Sequence, residues 1–262
     1  MDRQRSMAKI AIFDSGFGSL SIIRAIQKTT KSEIIYFADQ KNFPYGKKTK
    51  SQLYSIVNKT INLLKNKFNP DLMVVGSNTP SLLLDKIFTT NIIGVLPPLR
   101  EASKISKTKN IAILATSSVT KSKELSSYIK KNQLSVKTNV IKVNASPLVE
   151  LVESGKFITN KKFCRKIIRK TLNDVFLQNN IDTVTLSSTH LLFLRSMLET
   201  EFPRITFLDP AQEVANKVKK LTTKKRSKKN SLKIFTSGNK QTFQKQLRKI
   251  GIKNKINSLS LS

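Results

Sequence analysis

The chain has 262 residues, 48 of them Lys or Arg and 16 Asp or Glu, so its net charge is +32. The length suits one large domain or two small ones. With 39% hydrophobic residues, 8 Gly and 8 Pro, a collagen-like, disordered or low-complexity chain is excluded. The single cysteine, Cys164, excludes an internal disulfide framework and a cysteine-built zinc cage.

The opening residues, Met1 to Met7, are polar and run straight into a strand-like stretch. They lack the roughly 7–15-residue apolar core of a signal peptide. No apolar run reaches the roughly 18 residues that a membrane helix needs. A soluble, cytoplasmic protein with no membrane partner is expected.

Short apolar runs at 9–13, 33–37, 72–75, 92–95, 111–114, 140–143, 183–186, 205–208 and 232–235 read as strands. Between several of them the period changes to helical. Leu53, Ile56, Val57, Ile61 and Leu64 fall on one face, as do Val214, Val218 and Leu221. Strand–helix alternation predicts α/β architecture with parallel sheets. Nine strands exceed one compact sheet, so two pseudo-symmetric α/β lobes facing a central cleft are expected. Pro97-Pro98 marks the first boundary, and a return crossing near Asp209-Pro210 lets the last strand rejoin the first lobe. That division puts 1–97 and 209–262 in one lobe and 98–208 in the other.

Ligands of open parallel sheets bind beyond the carboxyl ends of the strands. After the first strand comes Asp14-Ser15-Gly16-Phe17-Gly18-Ser19, a turn opening a helix, whose free N–H groups suit a carboxylate or phosphate. An ordinary Asp/Ser cap explains the same residues. Two later strand ends look alike: Gly76-Ser77-Asn78-Thr79 and Ser187-Ser188-Thr189-His190. Each has a Ser, a small polar residue and then Thr or His, with a helix beyond. These serines either cap helices or face each other as matched hydroxyls. His190, the chain's one histidine, is a packing residue or a site residue. Pro44-Tyr45-Gly46 forms a turn after the second strand, and Glu153 ends a short helix. Tyr45 as a packed loop aromatic and Glu153 as a solvated carboxylate are equally compatible with the pattern.

The positive charge is spread over the whole chain, with one dense run at 217–229. It holds Lys217, Lys219, Lys220, Lys224, Lys225, Arg226, Lys228 and Lys229. The run is expected to begin on a helix end and continue as a basic loop at about 222–230. Contact with nucleic acid or another anionic partner through it stays open.

These segments together resemble the glutamate racemase family over nearly the whole chain. The resemblance is carried by residues 12–21, which include Asp14-Ser15-Gly16, and by Tyr36-Phe37-Ala38-Asp39 followed by Pro44-Tyr45-Gly46. It continues through Ser77-Asn78-Thr79, Ile93-Gly94-Val95, Leu151-Val152-Glu153, Ser188-Thr189-His190 and Asp209-Pro210-Ala211. The Asp-Ser-Gly and Pro-Tyr-Gly pair resembles the glutamate enzymes in particular. The family interconverts L- and D-glutamate without a cofactor, and supplies D-glutamate for peptidoglycan. Two cysteines on opposite faces of the substrate remove and return the α-proton.

The resemblance implies substrate contacts for Asp14, Ser15, Pro44, Tyr45, Gly46, Asn78, Thr79 and Thr189. It implies acid–base roles for Asp14, Glu153 and His190, no metal, and glutamate as the first ligand, with a homodimer left open. At the two cysteine positions this chain has Ser77 and Ser188. Cys164 lies in a basic helical segment at 161–170 and replaces neither. A family Thr aligns with Val119, and the Tyr-Pro after Thr-His is Leu191-Leu192. Three readings follow: an acidic-amino-acid binder with little or no turnover, a racemase working through activated serines, and a basic scaffold for nucleic acid or protein.

Overall fold

The computed structural model describes residues 7–132, 134, 137–223 and 229–260. Ten strands are present among them: β1 (Lys9–Asp14), β2 (Glu33–Ala38), β3 (Leu72–Val75), β4 (Ile92–Gly94), β5 (Asn110–Ala115), β6 (Asn139–Asn144), β7 (Thr183–Leu186), β8 (Thr206–Leu208), β9 (Ser231–Thr236) and β10 (Ile256–Ser258). The chain divides into one unit of Met1–Val95 with Ala211–Ser262, and a second of Leu96–Pro210.

The first unit holds a six-stranded sheet in the order β10-β9-β2-β1-β3-β4, and the second a four-stranded sheet in the order β6-β5-β7-β8. Every strand pair in both is parallel. Parallel strands covered by helices on both faces read as continuous apolar runs. Accordingly β3 and β7 are buried throughout, and β1 is buried from Ile10 to Asp14. The strand missing from the sequence reading, β10, is a three-residue edge strand, Ile256-Asn257-Ser258, too short and polar for any period to show.

The strand order β2-β1-β3-β4 in the first unit repeats as β6-β5-β7-β8 in the second. In each, the chain first builds outward to one side of the central strand and then crosses to the other. That reversal is the topological switch point where such sheets bind ligands. β3, which leads into Ser77, and β7, which leads into Ser188, hold the same place in the two sheets.

The helix Lys50–Phe68 shows how local sequence sets these elements. Thr49 Oγ1 accepts the Gln52 N–H while Gln52 Oε1 accepts the Thr49 N–H, a reciprocal cap at the helix start. Asn69 ends it in the left-handed region at φ 43°. Its buried face carries Leu53, Val57, Thr60, Ile61 and Leu64, and all of these but Thr60 pack with Phe13, Phe37, Met73 and Val75. Ile56, expected on the same face, is half-buried against that core.

The helix Ala211–Leu221 packs on the helix Leu20–Thr29 and buries Val214 and Val218. Leu221 departs from the expected face and is 46% exposed, because the helix ends on it and no further turn holds it down. Lys217, Lys219 and Lys220 are exposed on that helix, as is Lys229 beyond it. Lys224, Lys225, Arg226 and Lys228, the centre of the expected basic loop, lie outside the described residues. No helix among the described residues is long and apolar enough to cross a membrane.

Candidate active site

In the first unit, Asp14 is the last residue of β1 and is fully buried. Its Oδ1 accepts the Ser15 N–H at 2.7 Å, and its Oδ2 lies 3.0 Å from Ser19 Oγ. The same hydroxyl lies 2.8 Å from the Gly76 carbonyl oxygen, tying the end of β1 to the end of β3. Ser19 therefore does not cap the helix it precedes. The close approach demands glycine at 76, since a Cβ there would stand 2.2 Å from Ser19 Oγ and 3.2 Å from the Phe13 carbonyl oxygen.

The loop after β2 is held by a second buried carboxylate. Asp39 accepts the Tyr45 O–H at 3.0 Å, the Ser237 O–H at 3.0 Å, and the Asn42 amide at 3.0 and 2.8 Å on its two oxygens. Burial pushes the Asp39 carboxyl above its ordinary value, against the pull of these donors and of Lys48. Burial also pushes the Tyr45 hydroxyl well above its own, aided by the carboxylates of Asp39 and Asp14. Tyr45 is thus a fixed proton donor at every physiological pH. Its N–H makes a long contact of 3.5 Å with Ser15 Oγ. Pro44, after a cis Phe43–Pro44 peptide, starts the short turn Tyr45–Lys47 that includes Gly46. The turn is therefore fixed beside Asp14 and Ser15. Neither Asp39 nor Ser237, which together hold this loop, is singled out by the sequence as a candidate. The available signal was Asp39 itself, a carboxylate one residue past a strand.

Ser77 follows β3 with extended backbone at φ −127°, ψ 133°, and Ser188 follows β7 at φ −144°, ψ 129°. Their carbonyls accept the Ser81 N–H at 3.3 Å and the Leu191 N–H at 3.0 Å. Neither side chain caps its helix, and among the described residues neither hydroxyl makes a hydrogen bond. The capping explanation for these serines therefore falls. Ser77 is half-buried and Ser188 buried.

Behind Ser77, Asn78 is buried and donates to the Val95 carbonyl at 3.1 Å. Its Oδ1 is buried with no hydrogen-bond partner among the described residues, a state rare enough to call for an explanation. Thr79 is buried on the same short helix, Asn78–Leu83.

In the second unit, Thr189 and His190 are buried in the short helix Thr189–Leu194. His190 Nε2 meets Oε1 of Glu153, the last residue of the helix Ser146–Glu153. The solvated reading of Glu153 gives way to a partly buried pair with side chains 9% (His) and 19% (Glu) exposed. A carboxylate so placed orients the imidazole and sets which nitrogen carries a proton. Val119, on the helix Ser117–Thr120 after β5, is buried and offers no side-chain donor. Cys164 is fully buried on the helix Lys161–Gln178, and burial pushes its thiol up. It belongs to a helix core and to neither strand end.

Two parallel α/β units, each with a small hydroxyl residue at the matching strand end, define a protein with the amino-acid racemase fold. Glutamate racemase isoform RacE1 from Bacillus anthracis superposes with a TM-score of 0.83, covering 97% of this chain and 98% of that one at 23% identity. The Francisella tularensis glutamate racemase solved in complex with D-glutamate gives 0.81 over 97% and 98%, at 18% identity. Among sequence relatives, the glutamate racemase of Buchnera aphidicola from Schizaphis graminum is 33% identical over 239 residues, 89% of this chain and 92% of that protein. The chain belongs to the glutamate racemase family. No family model matches it.

Proposed function

We propose that the chain binds an acidic amino acid, glutamate first, and exchanges its α-proton slowly or not at all. The observation that carries this reading is the state of the two serines at the cysteine positions. A serine becomes a useful base or nucleophile only when a neighbouring group takes its proton. Ser77 and Ser188 are hydrogen-bonded to no such group among the described residues. The candidate partners are otherwise engaged, His190 with Glu153 and Asp14 with Ser15 and Ser19.

Binding is supported by what is retained. Asn78 Oδ1 is a buried acceptor without a donor, the complement of a substrate ammonium. Tyr45 holds its loop through Asp39, and the Ser15 and Thr79 hydroxyls stand in the first unit's set. The Francisella relative was solved with D-glutamate, which makes glutamate the ligand to try first. A working racemase through activated serines is the second reading, favoured by the Glu153–His190 pair two residues from Ser188. A nucleic-acid role rests on the +32 charge and predicts salt-dependent retention on RNA or DNA.

Calorimetry with L- and D-glutamate, run beside proton NMR in D₂O, separates these readings. Saturable binding with a persistent α-proton signal is the expected result. Exchange that disappears in Ser77→Ala and Ser188→Ala establishes the second reading. No binding at millimolar glutamate removes both.

A further inference from the structure

The first unit contains an open surface cavity of about 600 Å³ whose lining includes neither Ser77 nor Asp14, and whose Lys41, Ser51, Gln52, Ser55 and Lys59 are exposed. Lys41 and Asn42 contribute to it from the loop after β2. Lys48 precedes the helix Lys50–Phe68, and Ser51, Ser55 and Lys59 lie along that helix's first three turns. No carboxylate lines the cavity. Lys41 and Lys59 have no ion-pair partner among the described residues, Lys48 acts on the buried Asp39 carboxylate without forming an ion pair with it, and the Ser51 and Ser55 hydroxyls make no hydrogen bond there.

Cations gathered round one hollow repel each other, and their repulsion is relieved by an anion placed between them. The helix start adds a partial charge of the same sign, and its first turn carries no acidic residue to offset it. Lysines spread over an open surface are common in a chain of +32. Three round a concavity together with two unused hydroxyls are a different arrangement.

We propose that this cavity binds a compact phosphoryl anion. Ammonium groups act as mobile point charges toward phosphoryl oxygens, and the two serine hydroxyls supply directional donors. The cavity shares the loop after β2 with the candidate site. Asn42 spends its amide on Asp39 at 3.0 and 2.8 Å, and Asp39 in turn accepts from Tyr45. The ligand therefore rests against a wall whose position the Asp39 network fixes.

The test is isothermal titration of the whole chain with inorganic pyrophosphate at constant ionic strength of about 0.15 M, where general surface attraction is screened. One-to-one saturation is expected. Lys41→Met/Lys48→Met/Lys59→Met weakens it about tenfold or more, while Lys217→Met/Lys219→Met/Lys220→Met, with the same loss of charge, changes it less than about twofold. Equal weakening by the two triple variants, or no saturation by about 10 mM pyrophosphate, overturns the assignment. Citrate binding as tightly as pyrophosphate overturns the phosphoryl specificity. All of these readouts are independent of glutamate turnover.

Discussion

Replacing Ser77 and Ser188 by cysteine in one variant tests the assignment most directly. A free thiol ionises near 8.5 and a serine hydroxyl about 4.5 units higher. At ~1.36 kcal/mol per unit the alkoxide costs about 6 kcal/mol more to form than the thiolate, or roughly 10⁴-fold in rate from one side. The structure keeps that estimate simple. Among the described residues neither hydroxyl makes a hydrogen bond that the sulfur would forfeit, and neither caps a helix. Both positions have ordinary extended backbone that any residue adopts. The exchange should therefore buy reactivity at little cost in stability.

The assay is loss of the α-proton signal of L-glutamate, and separately of D-glutamate, in D₂O. Each single cysteine variant should exchange only the enantiomer whose proton faces it, by about 10⁴-fold over the unmodified chain. The double variant should also invert configuration. A folded double variant that binds glutamate yet exchanges no faster than the unmodified chain refutes the reasoning. The limiting defect would then lie in the pocket, at a position such as Val119.

Three further outcomes follow from individual contacts. In the double-cysteine background, Glu153→Gln should slow exchange about 10²-fold for the enantiomer served from position 188, by releasing His190. Equal slowing of both enantiomers would show that the Glu153–His190 pair acts elsewhere. Tyr45→Phe leaves the buried Asp39 short of one of its donors and should cost about 1.5–3 kcal/mol in urea unfolding, with weaker glutamate binding; unchanged unfolding would discount the network.

Asp182 accepts the Ser106 O–H at 2.6 Å and the Lys107 and Thr108 N–H groups at 2.6 and 2.9 Å. Burial raises its carboxyl pKa, but the donors Ser106, Thr108, Thr183 and Lys107 outweigh this and hold it below 3.8. A lowered folded value stabilises above the unfolded value and loses that contribution as pH falls through the folded one. Asp182→Asn should thus destabilise at pH 7 and progressively less below pH 3.8; a constant difference across that range would refute it.

The parts of this molecule that the sequence makes legible are those set by local pattern. Parallel strands such as β3 and β7 are buried on both faces, so they stand out as apolar runs, and the helix Lys50–Phe68 declares itself by period and by its Thr49–Gln52 cap. β10 is hidden because its three residues owe their strand state to pairing with β9. Leu221 is misjudged because period says nothing of where a helix stops. The site divides in the same way. Asp14, Ser77 and Ser188 are candidates from their places at strand ends, and Tyr45 from its turn and the family resemblance, but what each side chain does depends on partners distant in sequence.

Nothing near Asp39 announces Ser237, 198 residues away, as its donor. Nor does any local signal distinguish a capping serine from an idle one. At Ser77 and Ser188 a cap was the ordinary expectation for Ser before a helix, and both hydroxyls decline it. Both serines keep extended backbone and lend their helices a carbonyl acceptor, while their hydroxyls take no part among the described residues. Among the described residues each strand end presents a hydroxyl that makes no hydrogen bond, at the place where the family resemblance puts a thiol.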